Sequence, residues 1–189
     1  MRPKELLDAL SIARNLKVNT RHCWTEEDRK ESVADHSWRL ALIALLLENE
    51  PEFAEVDMDK VIRMCLIHDL GEAFTGDIPS FLKSEDASNN EDKIYLDWVE
   101  SFPENDRDKW LPLLEEMISL ETKEAKIYKA LDKVEAIISH NESDLSTWLP
   151  LEYELQKTYG QENMGASPYT KALREIIDKW TDDKIEEGK

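Results

Sequence analysis

A chain of 189 residues can bury a core as one domain without disulfides or metal staples. Its 42 Asp and Glu against 24 Lys and Arg give a net charge of −18, which excludes a protein that tracks nucleic-acid polymers with a basic face. The longest apolar run, LALIALLL at 40–47, is too short to span a bilayer, and two cysteines with no paired framework and no signal-like start point to the cytoplasm.

Helical periodicity runs through almost the whole chain, and it predicts an all-α domain over 1–189 with seven to eight helices. The first helix covers 3–15. Residues 1–39 carry 8 Lys and Arg against 7 Asp and Glu, whereas 40–189 carry 16 against 35, so an anionic ligand would be met by a few N-terminal cations. Arg21, Arg29 and Lys30 fall in one loop there. The second helix, 33–49, places Val33, His36, Leu40, Ile43 and Leu47 on one stripe, with Trp38 as a core aromatic, and stops at Pro51. The third, 58–70, aligns Val61, Met64, Cys65 and His68 on one face, with Asp69 one step round. Gly71, Gly76 and Pro79 break the chain after it.

The run KSEDASNNED at 83–92 reads as a polar loop before helices at 90–102 and 107–120. A helix at 123–143 has the stripe Ile127, Leu131, Val134, Ile138, with Asp132 beside it. His140, eight residues beyond Asp132, reads as a structural histidine. Two helices at 144–159 and 168–181 pack on this core, and the tail TDDKIEEGK frays.

His36, His68, Asp69 and Asp132 therefore enter apolar faces of three helices. An isolated histidine on such a face is ordinarily a satisfied core residue. A buried charge, however, must be paired or bound to metal. Two imidazoles with two carboxylates form a mixed nitrogen and oxygen set, which suits Mn²⁺, Fe²⁺, Co²⁺, Ni²⁺ or Zn²⁺ better than Ca²⁺.

The ordered segments ESVADHS, LIHDLGEAFTGD and ALDKVEA resemble the successive motifs of the HD-domain metal-dependent phosphohydrolases. Within that superfamily the chain is similar to the small 5′-deoxynucleotidases. The resemblance covers roughly residues 5–145, with the motif core in 20–145. It implies a helical fold around one divalent metal (Mn, Co, Fe, Ni, Zn or Mg). It gives His36, His68, Asp69 and Asp132 as metal ligands, Glu72 as the acid near the attacking water, Asp77 as a substrate contact near the sugar, and Arg21 as the phosphate-gripping arginine. It also implies a homodimer. Where those enzymes carry a tryptophan after the arginine, this chain has His22, a further candidate for ligand contact. The implied reaction is hydrolysis of a (deoxy)nucleoside 5′-monophosphate to nucleoside and phosphate. The superfamily's alternatives are a triphosphate or cyclic or other phosphodiester substrate, or a nucleotide-sensing domain without catalysis. The few cations beyond residue 39 count against a triphosphate.

Overall fold

In the α2 helix, Val33–Leu47, the buried side chains are Val33, His36, Ser37, Leu40, Ala44 and Leu47, a stripe in steps of three and four. Its start is fixed by Ser32, whose hydroxyl accepts from the Asp35 N–H while the Asp35 carboxylate accepts from the Ser32 N–H. The same logic sets α3 (Met58–Ile67), where Val61, Met64 and Cys65 are buried and Asp57 is the cap. It also sets α7 (Lys123–Glu142), capped by Thr122. The computed structural model describes residues 1–188. Its other helices are α1 (Pro3–Ala13), α4 (Glu72–Thr75), α5 (Glu85–Glu100), α6 (Glu104–Ser119), α8 (Glu152–Thr158) and α9 (Pro168–Glu187).

The α2, α3 and α7 helices pack on one another at the centre. The larger core lies between them and reaches under α5 and α6 through Tyr95, Val99, Phe102, Leu114 and Met117. A smaller core on α7, formed by Ala130, Val134 and Ile137 with Met164 and Ile177, holds α9 and the 3₁₀ turn Gln161–Ala166. Arg174 of α9, fully buried, donates to the carbonyls of Gln156, Lys157 and Tyr159 and so ties α9 to the end of α8.

The all-α class expected from periodicity holds, with one addition. Strands β1 (Thr20–Glu26) and β2 (Arg29–Ser32) form an antiparallel hairpin in register Thr20–Ser32, Trp24–Lys30 and Glu26–Arg29. The hairpin is latched to the end of α7: Trp24 N–H donates to Ser143 Oγ at 2.9 Å, and Ser143 Oγ donates to the Trp24 carbonyl at 3.0 Å.

Several expectations need correction. KSEDASNNED is mostly helix, because Ser84 caps α5 and the helix begins at Glu85. The tail is helical to Glu187, with Thr181 and Ile185 buried; only Lys189 lies outside the described residues. Trp38 is exposed rather than core. Gly71 has ordinary helical angles and is no hinge. It is small because α5 crosses it: a Cβ there would meet Glu91 Cγ at 2.9 Å. In this turn the positive backbone angle belongs to Gly76, at φ +77°, which a side chain would disfavour.

Candidate active site

Three helix segments bring four side chains to one point. His36 comes from the buried face of α2, His68 and Asp69 from the turn that ends α3, and Asp132 from the middle of α7. His36 Nε2 lies 3.1 Å from His68 Nε2 and 3.2 Å from Asp132 Oδ1. Asp69 Oδ2 lies 3.0 Å from His68 Nε2 and 3.7 Å from His36 Nε2. Two imidazole nitrogens and two carboxylate oxygens thus converge.

The outer sides of the two rings decide what the inner sides can do. His68 Nδ1 donates to the Cys65 carbonyl at 2.9 Å. His36 Nδ1 donates to Glu135, which is buried beside it. Glu135 is anionic: burial opposes its charge, but His36, Arg21 and Arg39 bring its pKa down to about 2. With both Nδ1 atoms donating outward, both Nε2 atoms present lone pairs inward when the rings are neutral. That is the donor set of a divalent transition-metal site with its rings already oriented. Burial would lower the pKa of His68, yet Asp69 and Asp132 raise it to about 10. The pocket thus favours a cation, whether proton or metal.

Glu72, the first residue of α4, is buried, and its Oε2 has no hydrogen-bond partner among the described residues. Burial, reinforced by Asp69, Asp77 and Glu91, pushes its pKa up to about 9. The short helix is pinned from the N-terminal segment, where Asn19 Nδ2 donates to the Glu72 carbonyl at 2.6 Å and Asn15 Nδ2 to the Ala73 carbonyl at 2.9 Å.

Arg21 on β1 reaches the same point. Its Nε donates to Glu31 Oε2 at 3.0 Å, and its terminal nitrogen lies 3.8 Å from Asp69 Oδ2. It stays charged although buried, because Glu135, Asp69, Glu31 and Asp77 surround it. Asp77, half-buried past Gly76, faces the same cavity, and burial raises its pKa. The cavity measures about 310 Å³, within the range of small-molecule sites. It is lined by Arg21, His22, Asp69, Glu72, Asp77 and Asp132, so every predicted site residue except the inner pair His36 and His68 borders it.

The structure adds to the sequence reading in three places. Glu31 and Glu135, fully buried, carry no role there, although Glu135 stands three residues after Asp132 on the same helix face. Lys83, Lys129 and Lys133 also line the cavity, so positive charge is not confined to residues 1–39. Each of these lysines is held by an acid: Lys83 by Glu91 at 2.9 Å, and Lys129 and Lys133 by Asp132 at 2.9 and 3.7 Å. Arg29 pairs with Asp35, and neither it nor Lys30 lines the cavity.

Compared with known proteins, residues 13–173 match the HD domain family. The human 5′-deoxynucleotidase HDDC2 is 29% identical over 143 residues, which cover 74% of this chain and 68% of that protein. The Xenopus laevis protein of the same name is 31% identical over 139 residues, 71% of this chain and 67% of that one. Among solved structures, a predicted metal-dependent phosphohydrolase from Magnetospirillum magnetotacticum MS-1 superposes with a TM-score of 0.79 at 25% identity, covering 97% of this chain and 95% of that one. A conserved hypothetical protein from Pyrococcus furiosus gives 0.67 at 32% identity, covering 92% and 98%.

Proposed function

The chain belongs to the HD domain family, and on that premise we propose that it hydrolyses deoxynucleoside 5′-monophosphates to nucleoside and inorganic phosphate. The observation that carries the reading is the pair of imidazoles whose Nδ1 atoms donate outward while their Nε2 atoms meet Asp69 and Asp132. A nucleotide-sized cavity opens onto that point. The relatives that carry the name 5′-deoxynucleotidase support the substrate class.

His36, His68, Asp69 and Asp132 would hold one divalent cation. Such a cation acts as a Lewis acid and makes water acidic enough to attack near neutral pH. Glu72 takes the proton of the attacking water at Oε2, the oxygen with no partner in the fold. Burial and the surrounding acids raise its affinity for a proton, and a bound cation would favour the ionised form that accepts one. Arg21 grips two phosphoryl oxygens with the face of its guanidinium that Glu31 leaves free and offsets their charge in the transition state. Asp77 accepts a hydrogen bond from a sugar hydroxyl. His22 borders the nucleoside side of the cavity.

We read residues 1–189 as one catalytic domain working in the cytoplasm. The exposed apolar side chains Trp38, Leu45 and Leu46 of α2 are the surface we assign to pairing with a second copy. Among the described residues no helix is long and apolar enough to cross a membrane.

The direct test is phosphate release from dAMP, dGMP, dCMP, TMP, their ribonucleotide counterparts and dATP, after chelation and reloading with Mn²⁺ or Co²⁺. Metal-dependent release from monophosphates is expected, and none from dATP. A protein inert on every monophosphate would overturn the reading. Glu72→Ala should keep its metal and lose at least about 10²-fold in kcat. Wild-type turnover in that variant would remove Glu72 from the mechanism.

A further inference from the structure

The cavity continues well past the four metal-binding side chains. Asp132, Ala136 and His140 line it in steps of four along α7. From Asp132 to His140 the helix advances about 12 Å, which is the reach from the phosphorus of an extended nucleotide to the far edge of its base. Glu152 and Gln156 of α8, His22 of β1 and Tyr159 line the same cavity. Ala136, the smallest side chain on the wall, leaves room in the middle.

The polar groups at this far end are incompletely satisfied. Glu152 is buried. Its Oε2 accepts the Leu149 N–H at 2.6 Å, and its Oε1 lies 3.3 Å from His22 Nε2. His140 is 8% exposed, and its Nε2 is buried without a hydrogen-bond partner among the described residues. It lies 3.5 Å from Glu152 Oε2, an oxygen already engaged by the backbone. A buried polar group left unpaired in the free protein is costly, and a ligand that pairs it recovers that cost. Trp148 packs tilted against the His140 ring at 4.5 Å between centroids. His22, 30% exposed, is the most open of these groups.

We propose that this far end is the nucleobase subsite and that Glu152 makes it selective for bases with N–H donors, guanine first and thymine last. The proposal rests on the nucleotidase reading above. A carboxylate only accepts hydrogen bonds. Guanine presents two adjacent donors, N1–H and the 2-amino group, which match a carboxylate edge to edge. Adenine and cytosine present one exocyclic amino group. Thymine presents a single N–H between two carbonyls, and those carbonyls would face the Glu152 oxygens. A site built around a buried acceptor rejects ligands that lack the matching donor, because the acceptor then stays unpaired.

Two measurements test this. The first compares kcat/KM for dGMP and TMP in the metal-loaded wild type and in Glu152→Gln. The wild type should favour dGMP by at least about tenfold, the effect of one hydrogen bond to a charged group. The variant should lose most of that ratio, since an amide offers a donor where the carboxylate offered none. An unchanged ratio would overturn the proposal, whatever happens to the absolute rates. The second needs no variant: calorimetric binding of deoxyguanosine and thymidine to the wild-type protein. Deoxyguanosine should bind more tightly, and equal affinities would overturn the proposal. If no monophosphate is hydrolysed, the nucleotidase reading fails in the first experiment, while the nucleoside titration still decides whether the subsite exists.

Discussion

Glu135 is the residue through which much of the site's order passes. It accepts from His36 Nδ1 and from Arg39 Nε at 2.6 Å, and Ser139 Oγ, whose one proton Glu135 and Glu31 share, lies 2.9 Å away. Ser139 also reaches Glu31 at 2.7 Å, and Glu31 holds Arg21. One buried chain of hydrogen bonds thus fixes a proposed metal-binding ring and the proposed phosphate-binding guanidinium together. Glu135→Ala would leave His36 free to turn and strand Arg39. Metal affinity should fall by about 10–100-fold. Stability should fall by about 3–5 kcal/mol, as when one partner of a buried pair is removed. Isothermal titration with Mn²⁺ and thermal melts of the apo protein would show both. Unchanged metal affinity would show that His36 needs no such support. The sequence displayed His36 and His68 because each interrupts an apolar stripe, and the other proposed site residues through the motifs that hold them. It hid Glu31 and Glu135 because the partners that tie them to the site lie far off in the chain: Arg21 and Ser139 are 10 and 108 positions from Glu31, and His36 is 99 from Glu135. No local pattern records such a pairing.

At the scale of elements, the helices were legible and the hairpin was not. Strands β1 and β2 read TRHCWTE and RKES, with no apolar alternation to mark them and no glycine or asparagine in the turn between them. What makes them strands is tertiary: Cys23 and Glu31 are buried against α7, and Ser143 closes the edge. The hairpin matters because it carries Arg21 and His22 to the cavity. Ser143→Ala removes both hydrogen bonds to Trp24. It should cost about 1–2 kcal/mol, raise KM for a monophosphate several-fold by loosening Arg21, and leave metal affinity as it was. Steady-state kinetics beside metal titration separates these effects. A loss of metal affinity equal to the loss in kcat/KM would show that the latch supports the whole site rather than the hairpin. The α5 start has a similar lesson. Its polar first turns resemble a loop in sequence, but the Ser84 cap and Tyr95, whose hydroxyl bonds the Ile67 carbonyl at 3.0 Å, commit it to helix.

For the molecule as a whole, the proposed metal joins elements that are far apart in the chain, so folding and metal binding should be coupled. The coupling has a definite pH sense. In the metal-free protein Asp69 and Asp132 raise His68 from its ordinary value of 6.5 to about 10. A base whose folded pKa is raised stabilises the apo fold fully below 6.5, and this contribution is lost as pH rises through about 10. The same proton must leave before the ring can bind metal. Metal affinity should therefore climb with pH across this window, by up to about tenfold per unit for each proton displaced. At a free metal concentration near 100 times Kd the holo protein gains about 2.7 kcal/mol. For a chain of this length that is a rise in Tm of about 5–10 °C. Melting the protein with chelator and with excess Co²⁺ at pH 6 and at pH 8.5 measures the increment at each. The rise in Tm should be larger at pH 8.5. A rise that is equal at both pH values would mean that no proton is displaced, so His68 Nε2 is not a ligand. No rise at either would mean that the four side chains balance one another without metal.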